Sequence, residues 1–222
     1  MPRKRSPVMS SLRSSSDKPV ITYAIIALCL IVFILQMLPN SPVTNALLYY
    51  PPFTAVEPWR MLTALFVHSP GSLLHILFNM YSLFIFGPIL ERMLGRARFI
   101  ALYLISGFGG SVAVLLIAPG TPVVGASGAI FGLLGAFFVI QRKLGGNSVQ
   151  LLVVIGINLV IGFIPGTNIA WQAHVGGLIT GVAIAVIYLR TRRGDQRNLQ
   201  LLAVTVVVVA LVVITVARIL VS

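Results

Sequence analysis

Seven stretches of this chain, at about residues 20–38, 73–90, 99–118, 123–140, 149–165, 170–189 and 199–217, are apolar and close to the length needed to cross a bilayer as a helix. Together they take up most of the chain and leave no room for a second globular domain. Inside hydrocarbon every backbone N–H and C=O needs an internal partner, which restricts a spanning chain to helices or a closed barrel. A barrel is written in short alternating strands rather than long continuous runs. The expected fold is therefore an all-α membrane protein, a polytopic helical bundle. Composition agrees: 58% of residues are hydrophobic and 9% charged, against about 45–50% and about 25% in soluble domains.

The net charge of +12 suggests nucleic acid until its placement is considered. If the start of the chain lies inside, fourteen of the sixteen basic residues fall in inner segments. These are Arg3, Lys4, Arg5, Arg13 and Lys18; Arg92, Arg96 and Arg98; Arg142 and Lys143; and Arg190, Arg192, Arg193 and Arg197. Only Arg60 and Arg218 lie outside. Short basic loops stay cytoplasmic, so the pattern sets a topology with a cytoplasmic N-terminus. The cations are then topology signals and headgroup contacts, and no nucleic-acid partner is expected. The basic, Ser-rich start resembles a signal peptide, but its apolar run is too long and lacks a small-x-small cleavage site. An uncleaved first span is the reading adopted, with a transit peptide as its rival. Cys29 lies within that span and packs as a small hydrophobe.

One connection is long, residues 39–72. It carries Leu47, Leu48, Tyr49, Tyr50, Phe53, Trp59, Met61, Leu62, Leu65 and Phe66, and is expected to lie partly in the outer interface. The other connections are short, which makes consecutive helices antiparallel neighbours. Gly128–Gly132 in the fourth span and Gly177–Gly181 in the sixth have the spacing that lets helix backbones approach in lipid.

Polar residues within spans are costly and mark functional sites by default. Ser127 and His174 are each the fifth residue of an inward-running span, roughly 6 Å below its outer end at 1.5 Å per residue. His75 and Asn79, at i and i+4, share a face of the second span at similar depth. A serine hydroxyl needs a base to become a nucleophile, and His174 stands at the right level. Oxyanion donors would come from His75, Asn79 and the Ser127 backbone N–H near a helix start. Asp17, Glu57, Glu91 and Asp195 all fall outside the outer-leaflet core, so the inventory allows a Ser–His dyad without an acid. Duller readings remain: Ser127 as a helix N-cap, His174 as an interfacial histidine, and His75 with Asn79 as a structural pair. The three histidines, His68, His75 and His174, lack an HExxH pattern or carboxylate partner, so neither a metal nor any other cofactor is expected.

Taken together, Glu57-Pro58-Trp59-Arg60, His75-Ile76-Leu77-Phe78-Asn79, Leu90-Glu91-Arg92-Met93-Leu94-Gly95, Gly125-Ala126-Ser127-Gly128 and Ala173-His174-Val175-Gly176-Gly177 resemble the motifs of the rhomboid family of intramembrane serine proteases. The resemblance covers about residues 57–181. It implies a six-helix core plus a C-terminal seventh transmembrane helix, with Ser127 as nucleophile and His174 as general base. It further implies an oxyanion hole of His75, Asn79 and the Ser127 N–H. Trp59 and Arg60 would hold the long loop, and Glu91 would anchor the inner end of the second span. Gly125 and Gly128 would admit a substrate backbone, and Gly177 and Gly181 would allow close helix contact. Phe131 stands where many relatives carry a tyrosine that stacks on the catalytic histidine. The stretch between His68 and His75 is longer than the family pattern, which leaves His68 out of the expected site.

The domain organisation read from the chain is a basic cytoplasmic tail over 1–19, a catalytic membrane domain over 20–190, and a linker with the extra helix over 191–222. The implied activity is hydrolysis of peptide bonds within or next to the transmembrane helix of single-span substrates in a bacterial plasma membrane. The rivals are a non-catalytic rhomboid-like chaperone and a transporter. Oligomeric state cannot be read from the sequence.

Overall fold

A few residues that cannot continue a helix decide where this apolar chain turns. The computed structural model describes residues 18–162 and 169–221. The first helix, α1 (Val20–Gln36), follows Pro19 and is succeeded by two short helices, α2 (Val43–Leu47) and α3 (Arg60–Thr63), within the long connection. Four longer helices come next: α4 (Leu73–Leu94), α5 (Arg96–Ile117), α6 (Ser127–Lys143) and, after a five-residue link, α7 (Val149–Ile161). The last two are α8 (Trp171–Arg190) and α9 (Arg197–Leu220). No strand forms among the described residues, only an isolated antiparallel bridge between Tyr49 and Val123. Below, "upper" means the end of the bundle that carries Ser127.

Four described helical segments are long and apolar enough to cross a membrane: Leu73–Leu94, Arg96–Ile117, Trp171–Arg190 and Gly194–Leu220. Val20–Gln36 and Val149–Ile161 are shorter apolar helices. The chain is thus an integral membrane protein built as a helical bundle, as the apolar runs require. The tail expected over 1–19 lies, up to residue 17, outside the described residues, and so does the end of the fifth apolar stretch beyond residue 162.

Helix boundaries depart from the expected spans for identifiable reasons. The second and third spans nearly meet, because α4 runs on to Leu94 and a single residue, Gly95, reverses the chain. Its φ of +83° is a backbone state that glycine adopts without a Cβ penalty. Helix α4 continues past residue 90 because Glu91 is buried and fully used at the lower end. Its carboxylate accepts from the backbone N–H of Ile21 (2.9 Å) and Thr22 (2.8 Å) and from the Thr22 hydroxyl (2.8 Å). Those groups belong to the first turn of α1, which lacks intrahelical acceptors; a buried carboxylate from another helix replaces the cap. The long connection is less interfacial than expected, since Tyr49, Met61, Leu65 and Val67 turn inward and are buried.

Helices α5, α6 and α8 form the centre. A methyl group at Gly177 would strike the Gly128 carbonyl oxygen, and one at Gly181 would strike that of Gly132. A methyl at Gly176 would meet Ala113 and the Gly109 carbonyl. Helix α8 therefore touches α6 on one side and α5 on the other, backbone to backbone, where dispersion contacts hold helices together in lipid. By contrast, α9 has only Gln200 and Thr215 buried. It is clipped on at the lower end, where Gln200 Nε2 donates to the Thr191 carbonyl (3.0 Å) and hydroxyl (2.8 Å).

Candidate active site

Helix α6 starts four residues later than the apolar pattern suggests, and that delay sets the position of Ser127. Residues before it are tied to the long connection: Tyr49 and Val123 exchange two backbone hydrogen bonds (3.0 and 2.7 Å), and the Gly125 N–H donates to the Ala64 carbonyl (2.9 Å). Gly125 then turns the chain with φ +117°, and the helix begins with Ser127. The expected depth is corrected accordingly: Ser127 is the first residue of α6 and His174 the fourth of α8, rather than both being fifth. Ser127 is not a cap, because the N-cap position is Ala126 and no side chain caps this helix. Its hydroxyl instead meets His174 Nε2 at 2.9 Å.

His174 is buried and stacked flat on Phe131, with ring centroids 4.2 Å apart and planes 12° from parallel. Phe131 lies one turn below Ser127, so α6 supplies both the hydroxyl and the surface that fixes the ring's plane. The other ring nitrogen, Nδ1, is buried without a partner. Each described acid is engaged elsewhere: Glu57 with Arg60, Asp195 with Arg193, and Glu91 with α1. No group of His, Cys, Asp and Glu that could hold a metal exists among the described residues.

His75 approaches from α4. Its Nδ1 accepts the Ser69 backbone N–H at 3.3 Å, which leaves the ring proton of the neutral imidazole on Nε2. A methyl at Gly125 would sit 2.7 Å from that Nε2 and 3.8 Å from Ser127 Oγ. Gly125 is the gap across which His75 and Ser127 face each other. Asn79 donates from Nδ2 to the His75 carbonyl (2.7 Å), while its Oδ1 is buried and unpartnered. The amide thus ties down the backbone turn that carries His75.

His68, left out by the sequence reading, is fully buried with its ring 5.3 Å from that of His75, tilted by 55°. Both of its ring nitrogens lack partners, while its backbone pairs with one side chain. Gln36 Nε2 donates to the His68 carbonyl (2.7 Å), and the His68 N–H donates to Gln36 Oε1 (3.1 Å). The end of α1 thereby fixes the segment that backs His75. Burial, helped by the charge of His75, lowers the His68 pKa from 6.5 to about 4, so the ring is neutral at pH 7. The available signal was Gln36, a lone amide at the end of an apolar run.

The supporting residues divide. Arg60 is buried and holds the long connection: it donates to the carbonyls of Asn45 and Leu48, pairs with Glu57, and lies 5.6 Å over the Phe53 ring. Trp59 beside it is 54% exposed and faces out of the fold, so the holding is done by Arg60. Gly128 packs on the Ala173 carbonyl, 3.2 Å from where its methyl would be. With Gly177 and Gly181 it closes the seam between α6 and α8.

The arrangement has a hydroxyl on an imidazole nitrogen, a ring N–H facing the same gap, and unpaired N–H groups of a first helical turn. Those are the parts that acyl transfer requires.

The family model of the Rhomboid domain matches residues 55–191, more than half of the chain. The Rhomboid protease GluP of Bacillus subtilis (strain 168) is 37% identical over 177 residues, 75% of this chain and 34% of that protein. The mitochondrial RHOMBOID-like protein 6 of Arabidopsis thaliana is 39% identical over 140 residues, 60% of this chain and 44% of that protein. The B. subtilis protein YdcA is 36% identical over 142 residues, 61% of this chain and 70% of that protein. The chain spans less than half the length of the first two.

Proposed function

The chain belongs to the rhomboid family, and from that premise we propose that it is an intramembrane serine endopeptidase whose Ser127–His174 dyad cuts single-span membrane proteins. The observation that carries the reading is the 2.9 Å contact between Ser127 Oγ and His174 Nε2 across two helices. His174 Nε2 takes the hydroxyl proton as Oγ bonds to the scissile carbonyl carbon. Negative charge develops on the carbonyl oxygen in the gap beside Gly125. There the His75 Nε2–H and the Ser127 backbone N–H would donate to it, with the second hydrogen of the Asn79 amide. Collapse of the intermediate breaks the peptide bond, and His174 returns the proton to the leaving amine. Water then hydrolyses the acyl-serine by the same steps in reverse roles. Ser127 is partly exposed, which supports entry of that water from the upper end.

A helical substrate shields its carbonyls in hydrogen bonds, so it must unwind before attack. Substrates with Gly, Pro or polar residues near the cut and a small residue before it fit this requirement. The same proposal includes residues 20–190 as the catalytic unit, with 191–222 adding a linker and a seventh helix. It also includes a cytoplasmic N-terminus in a bacterial plasma membrane, with the site open toward the outer leaflet.

Co-expression with a panel of single-span substrates tests the reading. Ser127→Ala and His174→Ala are each expected to abolish cleavage while leaving the protein in the membrane, and wild-type cleavage by either would sink the dyad. A fluorophosphonate probe separates the protease from a non-catalytic helix binder. Only an activated serine labels, and His174→Ala should remove the label.

A further inference from the structure

At the lower end, opposite Ser127, a crevice opens between the ends of four helices, α4, α5, α6 and α8. It is lined by Met93, Leu94, Arg98, Ile140, Tyr188 and Arg192, with Leu189 beside them. Arg98 is held in place: its Nε donates to Gln200 Oε1 (2.7 Å), and its guanidinium lies 5.8 Å over the Tyr188 ring. The Tyr188 hydroxyl in turn donates to the Arg98 carbonyl (3.3 Å). Those contacts use one edge of the guanidinium and leave its terminal nitrogens without a described partner. Arg192, across the crevice, is exposed and pairs with no described residue. Local acids do not compensate, since Asp195 is taken by Arg193 at 3.1 Å and Glu91 is buried against α1.

We propose that this crevice is a subsite for the phosphate of an anionic phospholipid, gripped by Arg98 and Arg192, with Gln200 of α9 orienting Arg98. Three features carry the assignment. Two guanidiniums face a common gap, and planar forked donors suit phosphate oxygens. The rest of the lining is apolar or aromatic, as suits the start of an acyl chain. The crevice holds only about 30 Å³, enough for a headgroup oxygen with a water but not for a whole soluble ligand. Most of the bound molecule must lie outside, along the lipid-exposed surface that α9 provides. Basic pockets between helices at a membrane surface are where anionic headgroups bind. This assignment is independent of the chemistry at Ser127, and it explains why a nearly unburied helix carries a buried Gln200 at its first turn.

The test titrates the detergent-solubilised full chain with short-chain phosphatidylglycerol, phosphatidylcholine of equal chain length, or inorganic phosphate, following the thermal unfolding midpoint. Wild type should be stabilised by phosphatidylglycerol and little by the other two. In Arg98→Gln/Arg192→Gln the half-saturating concentration should rise about fivefold per arginine removed, the ratio matching about 1 kcal/mol per juxtamembrane cation. Arg142→Gln/Lys143→Gln removes the same charge at the same end but outside the lining, and should titrate like wild type. Gln200→Leu keeps every cation yet releases Arg98, and should weaken binding severalfold, which keeps the idea testable if the double variant fails to fold. Equal weakening in both double variants would reduce the site to diffuse charge and overturn it. So would an unchanged titration in Arg98→Gln/Arg192→Gln, or inorganic phosphate stabilising as well as the lipid.

Discussion

The two halves of the candidate site are built to different standards of rigidity. Ser127 and His174 sit on α6 and α8, which meet backbone to backbone at Gly128–Gly177 and Gly132–Gly181. The separation of their backbones is set by main-chain contact, which no side-chain rearrangement relieves. His75 and Asn79 sit on α4, whose other face is open: Leu73, Leu74, Leu77 and Phe78 are each about 60–70% exposed. The position of His75 depends on groups reaching from elsewhere: the Ser69 backbone N–H on its Nδ1, and the His68 ring beside it, whose backbone Gln36 holds. One half has a geometry fixed by close packing, while the other has a geometry that packing only persuades.

The sharpest break in this contrast is Gly177→Val. Its side chain would meet the Gly128 carbonyl, which belongs to the residue next to Ser127 and cannot move aside. Overpacking against flexible side chains costs about 1–3 kcal/mol, and against backbone this variant should lose about 3 kcal/mol or more. Cleavage should fall to background, read together with the unfolding midpoint. A folded, active Gly177→Val would mean that the seam is not rigid.

Gly125→Ala probes the gap between the halves. It places a methyl against His75 Nε2 and forces a non-glycine residue into φ +117°. Loss of a donor to a developing oxyanion typically costs about 10²–10³ in kcat, while the backbone strain should cost about 1–3 kcal/mol of stability. A stability loss without a turnover loss would remove His75 from the oxyanion site.

Phe131→Leu tests the rigid half from within. Aromatic stacking is worth about 0.5–1.5 kcal/mol, so turnover should drop about fivefold as the His174 ring loses its flat support. An unchanged rate would show that the helix seam alone orients the imidazole.

The last test lies in the looser half and reads a pH dependence of stability rather than turnover. His68 has a folded pKa of about 4 against an ordinary 6.5. Between those values the unfolded chain binds a proton that the folded chain does not, so stability falls as pH drops through that window. His68→Phe should flatten the corresponding part of a midpoint-against-pH curve. If the two curves stay parallel from pH 6.5 to 4, His68 is not held neutral by the fold.

The helical bundle was legible because hydrocarbon leaves an apolar chain few options, and the polar residues in apolar runs stood out for the same reason. Ser127 with His174, and His75 with Asn79, could be selected on that ground. The start of α6 was not legible, since Val123 and Val124 read as continuing an apolar helix. Val123 is instead drawn into an antiparallel bridge with Tyr49, more than seventy residues earlier. His68 was missed for a similar reason: its position follows from a backbone–side-chain exchange with Gln36, a contact that sequence spacing does not announce.

By itself, then, the sequence determined that this is a membrane bundle, which helices must pack closely, and which side chains are chemically suited to acyl transfer. Those are consequences of local composition and helical period. Only the tertiary structure decided that the serine opens its helix and that His174 reaches it with one nitrogen while the other stays unpartnered. It also decided that His68 stands behind His75. Each of these depends on contacts between residues distant in the chain, at a scale of a few tenths of an ångström that helical periodicity cannot specify.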